Sequence, residues 1–282
     1  MPIKAVFSDM DGTLLNPQHQ ISDYTAGVLR ALKEKGIRFI LATGRPHVDV
    51  FSTIRQCKLE PDFIITSDGA RIHDGSFNVV REHNIKPEVV EKLARIRVIS
   101  DEKNADGQSE KKFATHIFYD PHCVTDRREA EFWSAFHKDY KFVDIGEKLH
   151  DLKEEDFQKV PQAIFYGQHE DLEPVRAHLE TNFSADLCWT YSLPYLLNCA
   201  PAGVSKGNAM REVAELLGIE LGEVAGFGDG MNDESMLQIA GKAFITSNAQ
   251  QRLKDAVKHG EIIESNANDG VAKKLEELFL TD

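Results

Sequence analysis

The chain has 282 residues, 41% hydrophobic and 28% charged, with a formal net charge of -13. Those values describe an ordinary globular protein of one large or two modest domains. The negative charge argues against nucleic acid and anionic membrane as partners, and the longest apolar runs are strand-sized, too short for a transmembrane helix.

In chain order, Ile3 to Phe7 predicts a buried strand that ends on the acids Asp9 and Asp11. Its start at residue 3 leaves no room for a signal peptide. A helix is predicted from Ser22 to Lys35, with Ser22 as N-cap, Val28, Leu29 and Leu32 as apolar stripe, and Gly36 as terminator. A strand at 37–42, a helix near 47–57 and a strand from Phe63 to Thr66 follow, and Asp74-Gly75 signals a hairpin. This β-α-β-α-β order implies a parallel sheet.

After about residue 85 the pattern changes. Strand character appears from Lys111 to Asp120, helical spacing of Phe132, Trp133 and Phe136 over 126–139, and a strand from Val160 to Gly167. A helix at 171–181 and strands at Leu187 to Tyr191 and Tyr195 to Cys199 complete it, with Asp101 to Lys112 read as a loop. This is an α+β unit the size of a small domain. Alternation then resumes with helix 205–217, strand 223–228, a helix from near Asn232, strand 243–246, helix 249–258, strand 261–264 and helix 270–280.

Asp9 and Asp11 are two residues apart on an extended strand, so they face the same side, and Gly12-Thr13 allows a tight turn behind them. Two acids at the carboxyl end of a strand can share the work of nucleophile and proton carrier. Cys57, Cys123, Cys188 and Cys199 form no C-x-x-C pair, which argues against a cysteine zinc site and for free thiols in a cytoplasmic protein. Gly226 to Gly230 lacks G-x-G-x-x-G spacing, and no His pair has the spacing of a zinc hydrolase.

Asp9 to Leu15, Ala42-Thr43-Gly44-Arg45, Gly203 to Gly207 with Lys206, and Gly228 to Asp233 resemble, in order, the four motifs of the haloacid dehalogenase (HAD) superfamily. Ser67 to Ala70, Gly241 to Asn248 and Asp269 to Ala272 resemble its Cof-type sugar-phosphatase branch. The resemblance implies an α/β fold: a Rossmann-like core of residues 1–85 and 197–282 with an inserted α+β cap at 86–196 that closes over the site and selects substrate. It implies a phosphatase acting on small phosphomonoesters through an aspartyl-phosphate on Asp9. Asp11 would serve as acid and base, with Thr43, Gly44, Lys206 and Asn232 on the phosphate.

Two carboxylates receive a dianion only with a cation present, which makes Mg²⁺ the expected cofactor. Asp9 and Asp229 are its best side-chain ligands, Asp233 is an indirect or occasional direct one, and the family resemblance adds the carbonyl of Asp11. For Asp233, helix capping is an equal alternative to metal binding, and Asn232 could contact phosphate or merely cap. The expected partner is a small phosphorylated metabolite, bound by a monomer or weak homo-oligomer. A phosphomutase and a catalytically silent binding protein stay open as alternatives. Asp68 and Asn198 depart from the family pattern, where Asn and an acid are usual. Trp189 and Tyr191 are first candidates for cap residues facing the site.

Overall fold

The computed structural model describes residues 1–97, 111–119, 122–127 and 141–281. The chain divides into two compact units, Met1–Glu82 with Ser205–Asp282, and His83–Val204.

The first unit is built on a sheet of β1 (Ala5–Ser8), β2 (Arg38–Ala42), β3 (Phe63–Thr66), β4 (Arg71–Asp74), β5 (Val79–Glu82), β12 (Val224–Gly228), β13 (Lys242–Thr246) and β14 (Glu261–Ile263). Their order is β14-β13-β12-β1-β2-β3-β4-β5. The strands from β14 to β3 are parallel, whereas β4 and β5 add antiparallel at one edge. All four β1 residues are buried, because helices cover both faces. On one face, Val28, Leu29 and Leu32 of α1 (Asp23–Glu34) and Val271, Ala272 and Leu275 of the C-terminal helix Gly270–Phe279 pack with Val6, Leu41 and Phe227. On the other, Ala209, Met210 and Val213 of helix Lys206–Leu217 pack with Phe7, Ile40 and Ile65.

Ser22 caps α1 as expected, its hydroxyl accepting the Thr25 N–H at 3.0 Å. The predicted hairpin forms, Asp74 Oδ1 accepting the N–H groups of Ser76 and Asn78. The helix expected from Asn232 begins instead as a short turn, Met231–Asp233, before helix Glu234–Leu237.

The second unit holds β6 (Ala114–Phe118), β7 (His122–Thr125), β8 (Lys141–Asp144), β9 (Gln162–Tyr166), β10 (Leu187–Leu193) and β11 (Leu196–Pro201). They form a sheet of order β10-β11-β9-β6-β7-β8, antiparallel apart from the β7–β8 pair. Val89, Val90 and Leu93 of α3 (Pro87–Ala94) and Leu172, Val175 and Leu179 of α4 (His169–Phe183) pack with Ile117 and Phe165 of the sheet and with Phe113 just before β6. The helical reading of 126–139, with Phe132, Trp133 and Phe136, lies mostly outside the described residues, as does the loop reading of 101–112 except for its last two residues.

One expectation is corrected here. Residues 197–204 belong to the second unit, because β11 is hydrogen-bonded between β10 and β9. Trp189 and Tyr191 pack on that unit's own core, and the Tyr191 hydroxyl donates to Glu173 of α4 at 2.9 Å. Among the described residues, no helix is long and apolar enough to cross a membrane.

Candidate active site

The sheet order reverses direction at β1, whose neighbours are β12 and β2. Successive strands run outward from β1 on one side and outward from β12 on the other, so a crevice opens at the carboxyl ends of these two strands. Asp9 follows β1 directly and Asp229 follows β12. Asp9, Asp229 and Asp233 each bring a carboxylate oxygen to within 4.8 Å of the others.

Gly12 makes this approach feasible. Its φ is +77°, and a Cβ there would lie 2.4 Å from Asp229 Oδ2. Only glycine lets the turn behind Asp9 meet that carboxylate without displacing it. The Thr13 hydroxyl donates to Asp229 Oδ1 at 2.8 Å and fixes the side chain.

Lys206 opens its helix and is fully buried. A cation in a first helical turn opposes the macrodipole. Here the cost is offset by two charge-assisted hydrogen bonds of 2.6 Å, to Asp9 Oδ1 and Asp233 Oδ1. Burial favours a neutral amine, yet Asp233 and Asp9 overcome it and hold Lys206 protonated well above the usual lysine range. Asp233 Oδ2 accepts the N–H groups of Asp229 and Gly230 at 2.9 and 3.0 Å. Both Asp233 oxygens are thus held by the protein.

Asp11 turns toward Arg45, whose Nε donates to Asp11 Oδ2 at 2.6 Å and whose Nη2 reaches the other oxygen. His19 Nδ1 lies 3.2 Å from Asp11 Oδ1. Burial alone would raise the Asp11 carboxyl, but the His19 hydrogen bond and the Arg45 charge outweigh it and hold it at about 2. Thr43 is buried, and its Oγ1 accepts the Arg45 N–H at 3.1 Å. Asn232 donates from Nδ2 to Asp68 Oδ1 at 2.9 Å.

The sequence-predicted residues therefore occupy one crevice, where Asp9, Lys206, Asp233, Asp229 and Thr13 form a continuous hydrogen-bonded chain. Three participants went unassigned in the sequence. Thr13 was hidden inside the first motif, Arg45 had no partner that spacing could reveal, and His19 lies in a loop with no motif. The Arg45–Asp11 pair spans 34 positions and is visible only in the fold.

Burial first, and the Asp233 charge second, push the Asp229 carboxyl up to about 7 against an ordinary value of 3.8, with Thr13 and Lys206 pulling the other way. Between these values the metal-free folded chain carries a proton on Asp229 that the unfolded chain lacks, so this group adds stability as pH falls through that window. Above about 7 both states are ionised and the buried charge costs its full amount. Asp229→Asn should therefore gain most stability relative to the parent at about pH 8, with the advantage shrinking as pH falls through the window and gone only below about pH 4. Thermal melts of both proteins in EDTA test this. A parent–variant gap that does not change with pH contradicts a raised Asp229.

An acid-rich centre at the carboxyl edge of a doubly wound sheet, with a buried lysine on its first aspartate, is the candidate active site of this chain. The sequence profile of the haloacid dehalogenase-like hydrolases matches residues 6–275, and the chain belongs to that family. It is 35% identical over 287 residues to a Haemophilus influenzae protein named "Putative phosphatase", covering 100% of this chain and 99% of that one. It is 30% identical over 272 residues to the HMP-PP phosphatase of Cronobacter sakazakii, covering 95% and 92%. A crystal structure of a haloacid dehalogenase-like hydrolase from Bacteroides thetaiotaomicron superposes with a TM-score of 0.80 at 26% identity, covering 98% of this chain and 100% of that one.

Proposed function

We propose that this chain is a Mg²⁺-dependent phosphatase that hydrolyses small phosphomonoesters, such as sugar phosphates and similar metabolites, through an aspartyl-phosphate on Asp9. The observation that carries the reading is Asp9 itself, at the end of β1, with Lys206 Nζ 2.6 Å from one oxygen and Asp229 beside it. The relatives named as phosphatases support phosphate release.

A carboxylate oxygen of Asp9 attacks phosphorus and the bond to the leaving oxygen breaks. Asp11 gives that oxygen its proton, then takes one from the water that attacks the aspartyl-phosphate, freeing Asp9 and orthophosphate. For this the Asp11 carboxyl must leave the Arg45 fork, which otherwise keeps it ionised. Lys206 holds Asp9 in place and offers its charge to the phosphate. The Thr43 hydroxyl and the Gly44 N–H receive phosphate oxygens.

The clustered donors are all carboxylate oxygens, which suits a hard cation. Asp9, Asp229 and the Asp11 carbonyl would hold Mg²⁺, and Asp233 would orient Lys206 and the backbone of Asp229. The ion supplies the positive charge that lets an anionic nucleophile meet an anionic phosphate. Residues 83–204, which hold none of these groups, would choose the leaving group.

Phosphate release from a panel of phosphorylated metabolites tests the reading. With Mg²⁺ several esters should be hydrolysed, EDTA should abolish turnover, and Ca²⁺ should restore it poorly because it prefers more ligands and longer bonds. Phosphate moved between positions of one sugar with little release would favour a mutase. No release from any ester would favour a silent binding protein.

A further inference from the structure

The turn Ser67-Asp68-Gly69 carries three consecutive positive φ angles, 49°, 54° and 110°. Side chains other than glycine rarely adopt this conformation, and such outliers gather where a site dictates the backbone. Three of the four motif loops meet this turn. The Ser67 N–H donates to the Arg45 carbonyl at 2.9 Å, and the Asp68 N–H to the Thr43 carbonyl at 3.1 Å. A Cβ on Gly69 would lie 2.6 Å from the carbonyl oxygen of Ser205, so the turn rests directly on the residue before Lys206. A Cβ on Gly44 would lie 3.0 Å from Asp68 Oδ1, the same oxygen that accepts the Asn232 amide. Asp68 is 7% exposed.

We propose that Asp68 is a specificity-determining residue: held by its strained turn against Gly44 and Asn232, its carboxylate limits how much negative charge the phosphoryl site accepts. The inference rests on the phosphatase reading and adds a charge preference to it. Asp68 is the third carboxylate, after Asp233 and Asp9, whose field Lys206 balances. Charge that Lys206 spends on Asp68 is not available to a phosphate. In a buried site of low dielectric, each further negative charge on the ligand also meets the Asp68 field directly. A carboxamide of the same shape would keep an acceptor for Asn232 and remove both effects. The consequence is a preference for monophosphates over more highly charged phosphate esters.

Asp68→Asn is the informative variant, because Asn tolerates a left-handed φ better than other side chains apart from glycine. Inorganic orthophosphate is titrated calorimetrically into Mg²⁺-loaded parent and variant, and kcat and KM are measured for a sugar monophosphate and an organic diphosphate. Orthophosphate should bind about tenfold more tightly to the variant. KM should fall for both substrates, more for the diphosphate, with kcat moving less than KM. Asp68→Ser, which also removes the charge, should show the same gain. Unchanged or weaker orthophosphate binding in both variants overturns the proposal, and so does an equal gain on both substrates. If the parent hydrolyses no ester, the phosphatase reading fails, while the orthophosphate titration still decides the role of Asp68.

Discussion

Asp9→Asn is expected to lower turnover by several orders of magnitude, the scale on which loss of a catalytic nucleophile acts. The substitution keeps the size of the side chain and leaves an oxygen that can accept from Lys206 Nζ, so the 2.6 Å contact can persist. What disappears is the anion that attacks phosphorus. Stability should change little or rise, because Asp9 is buried beside Asp233, Asp229 and Asp11, and burial followed by those charges raises its carboxyl well above the usual range, with Lys206 opposing them. Steady-state phosphate release paired with a thermal melt separates the two effects. A variant that turns over near the parent rate contradicts the assignment of Asp9, and one that loses activity only because it unfolds leaves the melt as witness.

Lys206→Met should be damaging in a different way. The lysine is fully buried between Asp9 and Asp233, so its removal leaves two carboxylates facing each other without a cation. Breaking a buried pair from one side costs about 3–5 kcal/mol, partly relieved when one carboxylate takes up a proton. For a chain of this length that corresponds to a fall in Tm of roughly 10 °C. The loss should be largest above the ordinary carboxylate range, where both acids are ionised, and should shrink as pH falls and one of them is protonated. Activity should fall by about a hundredfold or more, as when one charge-stabilising donor is removed from a reacting centre. Melting curves across pH, with Mg²⁺ absent, check the first part. A variant as stable as the parent at neutral pH would show that the lysine is not what holds these acids together.

The parts of this structure that were legible in the sequence are those fixed by local chemistry. A β-strand that is apolar on both faces and ends in an acid can be read from Ala5 to Asp9, and the cap and stripe of α1 from Ser22, Val28 and Leu32. The motif residues were legible for the same reason, since each follows a strand or opens a helix. Pairings across the chain were not. Arg45 meets Asp11 and Asn232 meets Asp68 because loops from different strands converge at one sheet edge, and no spacing encodes that. In the second unit, helix α3 escaped notice although Pro87 opens it and Val89, Val90 and Leu93 form its buried stripe. It is only two turns long, and its stripe resembles a strand edge when read without its sheet. Strands β7 and β8 are four residues each, too short for alternation to stand out. Trp189 and Tyr191 pack partly buried on their own unit's core, and Tyr191 finds a hydrogen-bond partner in Glu173 of α4, a pairing that no spacing announced.

Asp229 and Asp233 show how a fold divides work between identical side chains. Asp233 spends one oxygen on Lys206 and the other on two backbone N–H groups, so its geometry is fully determined by the protein. Asp229 is fixed at one oxygen by Thr13, while the second faces Gly12, whose missing side chain leaves it room. That asymmetry is why Asp229 is assigned to the cation and Asp233 to its support.

The central claim is that Asp9 becomes covalently phosphorylated. The most direct measurement is a rapid acid quench of the parent with Mg²⁺ and a hydrolysed phosphate ester, followed by proteolysis and mass spectrometry of the peptide spanning residue 9. The account predicts a phosphorylated Asp9 that appears before steady state and is absent from Asp9→Asn. Full-rate phosphate release with no label on Asp9 at any quench time, or with the label on another residue, would contradict it.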